Sequence, residues 1–126
     1  MALTFSIDSY ADVCVLRPAG RVTNDEAPTF QAKVTEAVEQ SDAAQVVIDF
    51  AGLDYVSSGG LRAVAKGARL CRERNGQLMV AALTSVVEEI FAISRFHQVV
   101  TVHQTVADAV AALSADALAA MQAESD

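Results

Sequence analysis

The chain has 126 residues, 52% apolar and 20% charged, a balance that fits one globular domain whose core needs no metal or disulfide and that excludes a disordered chain. Nine Lys and Arg against sixteen Asp and Glu leave a net charge of −7, which excludes non-specific attraction to nucleic acid or to an anionic membrane. The two cysteines, Cys14 and Cys71, are too few and too far apart for a zinc site or a disulfide framework and point to a reducing compartment.

Leu3, Phe5 and Ile7 alternate with Thr4, Ser6 and Asp8, the period of a half-buried strand. A short turn at Asp12 leads to a second strand, Val13 to Leu16, so the two form an opening hairpin that closes at Pro18 and Gly20. Thr23 and Glu26 have the spacing of a capping box, and Pro28 places the helix start a residue or two beyond Thr23. Phe30, Val34, Ala37 and Val38 form the inner face of that helix, and Ser41-Asp42 ends it. Val46-Val47-Ile48 reads as a strand covered on both faces.

Gly52 breaks the chain before Leu53-Asp54-Tyr55-Val56 and the turn Ser57-Ser58-Gly59-Gly60. A second helix follows, with Leu61, Val64, Ala65 and Ala68 inward and a stop at Asn75-Gly76. Leu78 to Ala82 is another buried strand. Ser85 with Glu88 caps a third helix carrying Val86, Val87, Ile90 and Phe91. Val99 to Val102 is the last strand, and Thr105 with Asp108 caps a final helix with Val106, Ala109, Val110 and Leu113 inward.

The order β-β-α-β-α-β-α-β-α predicts an α/β domain with a mixed, mostly parallel sheet and right-handed crossovers. The domain is expected over residues 1–113, with 114–126 an Ala-rich tail that extends the last helix or frays. Arg17 is the first basic residue, so no charged segment precedes an apolar stretch. The longest apolar run, Leu78 to Leu83, is too short to cross a bilayer, so the expected setting is the cytoplasm, with no membrane partner.

Neither G-x-x-x-x-G-K-[ST] nor G-x-G-x-x-G occurs, so no phosphate-cradling loop is present and no cofactor is expected. His97 and His103 lie six apart across the start of a strand, a spacing that puts no two imidazoles on one helix face, and no metal site is expected. Asp49 and Asp54 flank the serine turn without forming an acid/base pair by spacing, and no nucleophile–base–orienter set can be assembled, so the chain does not read as an enzyme.

The serine turn is the informative element, with two readings. One is an ordinary helix N-cap, a position at which Ser is a leading residue. The other is a phosphoacceptor whose phosphate would meet the helix dipole and free N–H groups on a turn kept open by its glycines. The helix that follows holds Arg62, Lys66, Arg69, Arg72 and Arg74, five of the nine basic residues. Arg62, Lys66 and Arg69 share the face opposite the apolar stripe, either as a solvated face or as a docking face for an acidic partner.

The run from Val47-Ile48-Asp49-Phe50 through Leu53-Asp54-Tyr55-Val56-Ser57-Ser58-Gly59-Gly60-Leu61-Arg62 resembles the signature of STAS domains, the family of sulfate-transporter domains and anti-sigma factor antagonists. The resemblance covers about Leu3 to Leu113, including Gly20-Arg21-Val22 and Thr105-Val106-Ala107-Asp108-Ala109. It implies a partner switch. The unphosphorylated antagonist binds an anti-sigma factor that is also a serine kinase of histidine-kinase-like ATP fold. Phosphorylation of the turn serine releases the antagonist, and a PP2C-type phosphatase restores it. By position the acceptor is Ser58, with Ser57 the second choice; Thr23, Asn24, Asp25, Ser57, Gly59, Gly60, Arg62 and Lys66 form the partner contact. Two positions depart from the family's pattern, Ser57 and Thr23, where Asp is common. The resemblance also admits a structural subunit of a lipid-transport ATPase or stress-signalling complex, with no phosphorylation cycle.

Overall fold

Parallel strands buried on both faces must alternate between two cores, and this alternation sets the layering. The computed structural model describes residues 3–125, so residues 1, 2 and 126 of the expected bounds lie outside the described residues. Strands β1 (Thr4–Tyr10) and β2 (Val13–Val22) form the expected antiparallel hairpin, in register from Thr4 opposite Ala19 to Tyr10 opposite Val13. The remaining strands, β3 (Gln45–Asp49), β4 (Gly52–Val56), β5 (Gln77–Ala81) and β6 (Thr101–His103), pair in parallel. The sheet runs β1-β2-β3-β5-β6, with β4 beside β2.

Cys14, Leu16, Val46, Ile48, Leu78 and Val80 point to one face. They pack there against α1 (Ala27–Gln40), α2 (Ser58–Glu73) and α3 (Ser85–Ser94) through Phe30, Val34, Leu61, Val64, Val87 and Phe91. Val13, Val15, Val47, Met79 and Ala81 point to the other face, under Ala109 and Val110 of α4 (Val106–Leu113) and Ala117 of α5 (Ala115–Ser125). Phe50 meets Phe91 edge-on at 5.9 Å, and Phe91 meets Phe96 at 5.0 Å, which locks α3 to the sheet. Among the described residues no helix is long and apolar enough to cross a membrane.

The structure adds β4 to the expected order. β2 pairs first with β3, Val13 to Leu16 against Gln45 to Ile48, and then with β4, Ala19 to Val22 against Gly52 to Val56. Pro18, with no N–H to give, falls in the gap between the two ladders, and the register shifts between Gly20 and Arg21.

Several expected details are corrected. Thr23 and Glu26 form a turn, the Glu26 N–H donating to the Thr23 carbonyl at 3.1 Å, and not a capping box. Helix α1 starts at Ala27 with Pro28 in its first turn, where the missing N–H costs nothing. The cap of α3 is Thr84 rather than Ser85: its Oγ1 accepts from the Val87 N–H at 3.5 Å and donates to the Leu53 carbonyl at 2.9 Å, a tertiary bond to β4 that the neighbouring serine does not make. The last strand begins at Thr101 and not Val99, because the left-handed Arg95 ends α3 and turns Phe96–Gln98 into a 3₁₀ segment that brings Phe96 onto Phe91. The Thr105 cap forms as expected, its Oγ1 accepting from the Asp108 N–H at 3.0 Å. The tail makes a separate helix: Ser114 leaves helical geometry, and its Oγ accepts from the Ala117 N–H at 3.1 Å to start α5.

Cys14 and Cys71 are both buried free thiols, and burial pushes Cys71 up to about 11 despite the opposing pull of Arg74 and Arg72. The native protein is expected to give no reaction with a disulfide reagent at pH 8, both buried thiols becoming accessible to it only on unfolding. Because the unfolded thiol ionises first, native stability falls as pH rises from about 9 to about 11. A fast-reacting thiol, or a denaturation midpoint unchanged across that range in wild type relative to Cys71→Ala, overturns this assignment.

Candidate functional site

Parallel strands deliver their C-terminal ends to the same edge, so the Val22–Val56 pairing sets the loop after β2 beside the turn after β4. The Ser57 N–H donates to the Val22 carbonyl at 2.8 Å, which continues the ladder by one bond before the chain turns into α2. Ser57 is extended (φ −80°, ψ 171°) and is the N-cap of α2: its Oγ accepts from the Gly60 N–H at 3.1 Å and its carbonyl from the Leu61 N–H at 2.9 Å. The Ser57 residue is 3% exposed.

Ser58 is the first residue of α2 and stands exposed, its hydroxyl without a hydrogen-bond partner among the described residues. The two readings of the serine turn therefore fall on neighbouring residues, the cap on Ser57 and the accessible hydroxyl on Ser58. Asn24 crosses from the other loop, its Oδ1 accepting from the Gly59 N–H at 3.3 Å. The amides of Gly59, Gly60 and Leu61 all have acceptors, which leaves the Ser58 N–H as the open donor of the first turn. The expected free N–H groups around a phosphate are thus largely occupied.

The glycines also act differently from expectation. Both are buried, and neither holds the turn open. A Cβ on Gly60 would stand 2.6 Å from Val56 Cγ2 and 2.8 Å from Val22 Cγ1, and one on Gly59 would stand 3.0 Å from both Ala27 Cβ and Asn24 Oδ1. Their bare Cα atoms let α2 start directly against the ends of β2, β4 and α1. As contact residues, Ser57 and Gly60 lie beneath the surface, and Gly59 reaches it only as part of a groove wall.

That groove, about 870 Å³, runs between α1 and α2 with Ser58 at one end. Arg62, Lys66 and Arg69 line one side, and Pro28, Gln31 and Thr35 the other. All three cations are exposed, and none is paired among the described residues, where the ion pairs are Arg17 with Asp8 and Asp49 and Lys33 with Glu36, each at 3.4 Å. Asn24 and Asp25 are exposed on the adjoining loop, while Thr23 is half-buried. The α1 wall is what sequence reading missed. Its signal is the spacing of residues 28, 31 and 35, one helical stripe beside the buried Phe30-Val34-Val38 face. Also unforeseen is Arg21, whose guanidinium lies 4.8 Å over the Tyr55 ring across the β2–β4 pairing. His97 is exposed, with its ring edge-on to Phe91 at 5.7 Å, and His103 is half-buried.

The family model of the STAS domain matches residues 4–109. A candidate anti-sigma factor antagonist of Bordetella bronchiseptica, BtrV, is 35% identical over 97 residues, covering 76% of this chain and 80% of that protein. Among solved structures, an anti-sigma factor antagonist from Mycobacterium paratuberculosis shares the fold with a TM-score of 0.79 at 20% identity, over 89% of this chain and 94% of that one. The antagonist SpoIIAA shares it in the unphosphorylated form, with a TM-score of 0.70 at 18% identity over 85% and 93% of the two chains. The phosphorylated form from Bacillus gives 0.65 at 17% identity over 88% and 100%.

The two serines are expected to separate by stability. Ser57→Ala removes the cap and leaves the Gly60 amide without its acceptor, a loss of about 1 kcal/mol. Ser58→Ala stays within about 0.5 kcal/mol of wild type. Gly60→Ala forces a methyl onto Val56 and Val22 and costs about 1–3 kcal/mol. Urea denaturation midpoints check all three, and equal losses for the two serine variants would show that the cap is misassigned.

Proposed function

This chain belongs to the STAS family, and we propose that within it the protein is an anti-sigma factor antagonist governed by phosphorylation of Ser58. The observation that carries the reading is the separation of the serines: Ser57 is 3% exposed and engaged as a cap, while Ser58 stands one residue on, exposed and unengaged, at the mouth of α2. The likeness to BtrV supports the antagonist role, and SpoIIAA is a protein of this fold with a phosphorylated and an unphosphorylated form.

The partner in this reading is an anti-sigma factor that is itself a serine kinase of histidine-kinase-like ATP fold, and a PP2C-type phosphatase reverses the step. The nucleotide sits on the kinase; this chain supplies the hydroxyl. The Ser58 Oγ–phosphorus bond forms as the bond from the γ-phosphorus to the β,γ-bridging oxygen breaks, ADP leaves, and the hydroxyl proton passes to a base of the kinase. Unphosphorylated, the chain presents Thr23, Asn24, Asp25 and Ser58 on one edge and Arg62 and Lys66 beside them. Phosphate adds roughly −1.5 to −2 charges at the centre of that contact. In the complex this charge must be desolvated against a surface shaped for a hydroxyl, which costs several kcal/mol; in the free protein water and the helix N-terminus stabilise it.

Ser57 departs from the Asp common at its position, and its geometry accounts for the exchange: the position is a helix N-cap, where Ser and Asp serve about equally. The difference is one negative charge fewer beside the acceptor.

Ser58→Ala is expected to keep the affinity for the kinase within about threefold, and Ser58→Asp to weaken it by about tenfold or more, measured by titration calorimetry. Intact-mass and peptide mapping after incubation with kinase and ATP are expected to place one phosphate on Ser58. Equal affinities of the two variants, or phosphate on Ser57, would overturn the reading. A tightly co-purifying ATPase with neither serine modified would replace it by the structural-subunit alternative.

A further inference from the structure

A phosphate on Ser58 needs donors, and the backbone around it has few to offer. The Gly59 amide is held by Asn24, the Gly60 amide by Ser57, and the Leu61 amide by the Ser57 carbonyl. Only the Ser58 N–H is open. Beyond water and that one amide, compensation for the added charge therefore falls to side chains, and the helix brings one within reach. Arg62 is four residues on, hence on the face of Ser58, and a helical side chain leans back over the turn before its own Cα. In the structure Arg62 Nη2 lies 3.7 Å from the point where a Cβ on Gly59 would stand, so the guanidinium already rests over the mouth of the helix. It has no carboxylate partner there among the described residues, nor do Lys66 and Arg69, which continue the same wall of the groove. An acidic residue N-terminal to a basic one at this spacing is the favourable order on a helix.

We propose that Arg62 is a shared charge partner. Before phosphorylation it joins Lys66 and Arg69 in holding a carboxylate-bearing segment of the bound protein in the α1–α2 groove; afterwards it pairs with the phosphate on Ser58 and is lost to that segment. The inference rests on the reading of Ser58 as the acceptor. The occupant is acidic because three adjacent unpaired cations line the groove of a chain whose net charge is −7, and the opposite wall, Pro28, Gln31 and Thr35, adds no charge of its own. Release then follows from two effects of one modification. The partner meets a dianion, and the groove loses the cation at its end. Arg62 suits the exchange because its planar fork binds carboxylate and phosphate alike.

The test needs no kinase. Phosphoserine inserted at position 58 during translation gives the phosphorylated protein directly, and its second ionisation is followed by phosphorus NMR against pH. Pairing favours the dianion, so the parent is expected to titrate about 0.3–1 unit below Arg62→Gln, with Arg62→Lys between them and Arg69→Gln equal to the parent. Identical titrations for the parent and Arg62→Gln overturn the pairing. For the groove, a hexaglutamate peptide added at low salt to the unphosphorylated protein is expected to shift amide resonances along residues 28–35 and 62–69. The Lys66→Gln/Arg69→Gln variant is expected to weaken this binding about tenfold, and Arg95→Gln to leave it unchanged. No shifts, or shifts scattered over Arg72, Arg74 and Arg95, overturn the acidic occupant. Failure of either arm leaves the affinity difference between Ser58→Ala and Ser58→Asp standing, and failure of that difference leaves both arms readable.

Discussion

The site depends on the absence of one side chain. Helix α2 starts directly above the paired ends of β2 and β4 because residue 60 carries no Cβ: any larger residue would press on Val22 and Val56, the last pair of that ladder. Moving the helix away would strain the bond from the Ser57 N–H to the Val22 carbonyl and the cap bond from the Gly60 N–H to Ser57 Oγ together, since both bonds share residue 57. The exposure of Ser58 follows. With residue 57 fixed inward by the ladder and residues 59 and 60 packed down, the first residue of the helix is the one the chain turns outward.

On the proposed reading, this arrangement separates support, at Ser57, from signalling, at Ser58. Ser57 and Asn24 close the helix amides against the neighbouring loop, so the framework around Ser58 is complete before any modification. A group added to the outward hydroxyl finds its backbone surroundings, the Ser58 N–H aside, already bonded, and displacing Asn24 or Ser57 would leave an amide unsatisfied at a cost of about 1–3 kcal/mol. On the proposed reading the switch is therefore electrostatic, acting at the surface of a fixed platform, with no internal rearrangement needed to transmit it.

Much of this was legible in the sequence, for identifiable reasons. Strands with buried alternation on both faces, such as Val46-Val47-Ile48 and Leu78 to Ala81, and helices with a clear inner stripe, such as Phe30-Val34-Val38, carry their own period. The serine turn stood out because two serines and two glycines mark a strand-to-helix junction. What stayed hidden depends on tertiary partners. Thr84 outranks Ser85 as a cap only because Leu53 offers it a carbonyl, and β4 is a strand only because β2 runs on past Pro18 to pair with it. The roles of Gly59 and Gly60 were misread for the same reason: a glycine's openness in sequence says nothing about what presses on it, and here Ala27, Val22 and Val56 do. The choice between Ser57 and Ser58 is also tertiary, decided by which hydroxyl the β2–β4 ladder turns inward.

The uneven charge of the chain gains a physical meaning from this geometry. Of the nine basic residues, set against sixteen acidic ones, Arg17 and Lys33 pair with carboxylates among the described residues, while Arg21 lies over the Tyr55 ring. Arg62, Lys66 and Arg69 stand together on one helix face without carboxylate partners among the described residues, and mutual repulsion along that face is a modest destabilisation that an incoming anion relieves. On the proposed reading, an anion from a partner and a phosphate on Ser58 would relieve it alike, and the face cannot fully serve both. On the proposed reading, the acidic remainder of the protein repels an acidic partner elsewhere on the surface and directs it to this edge.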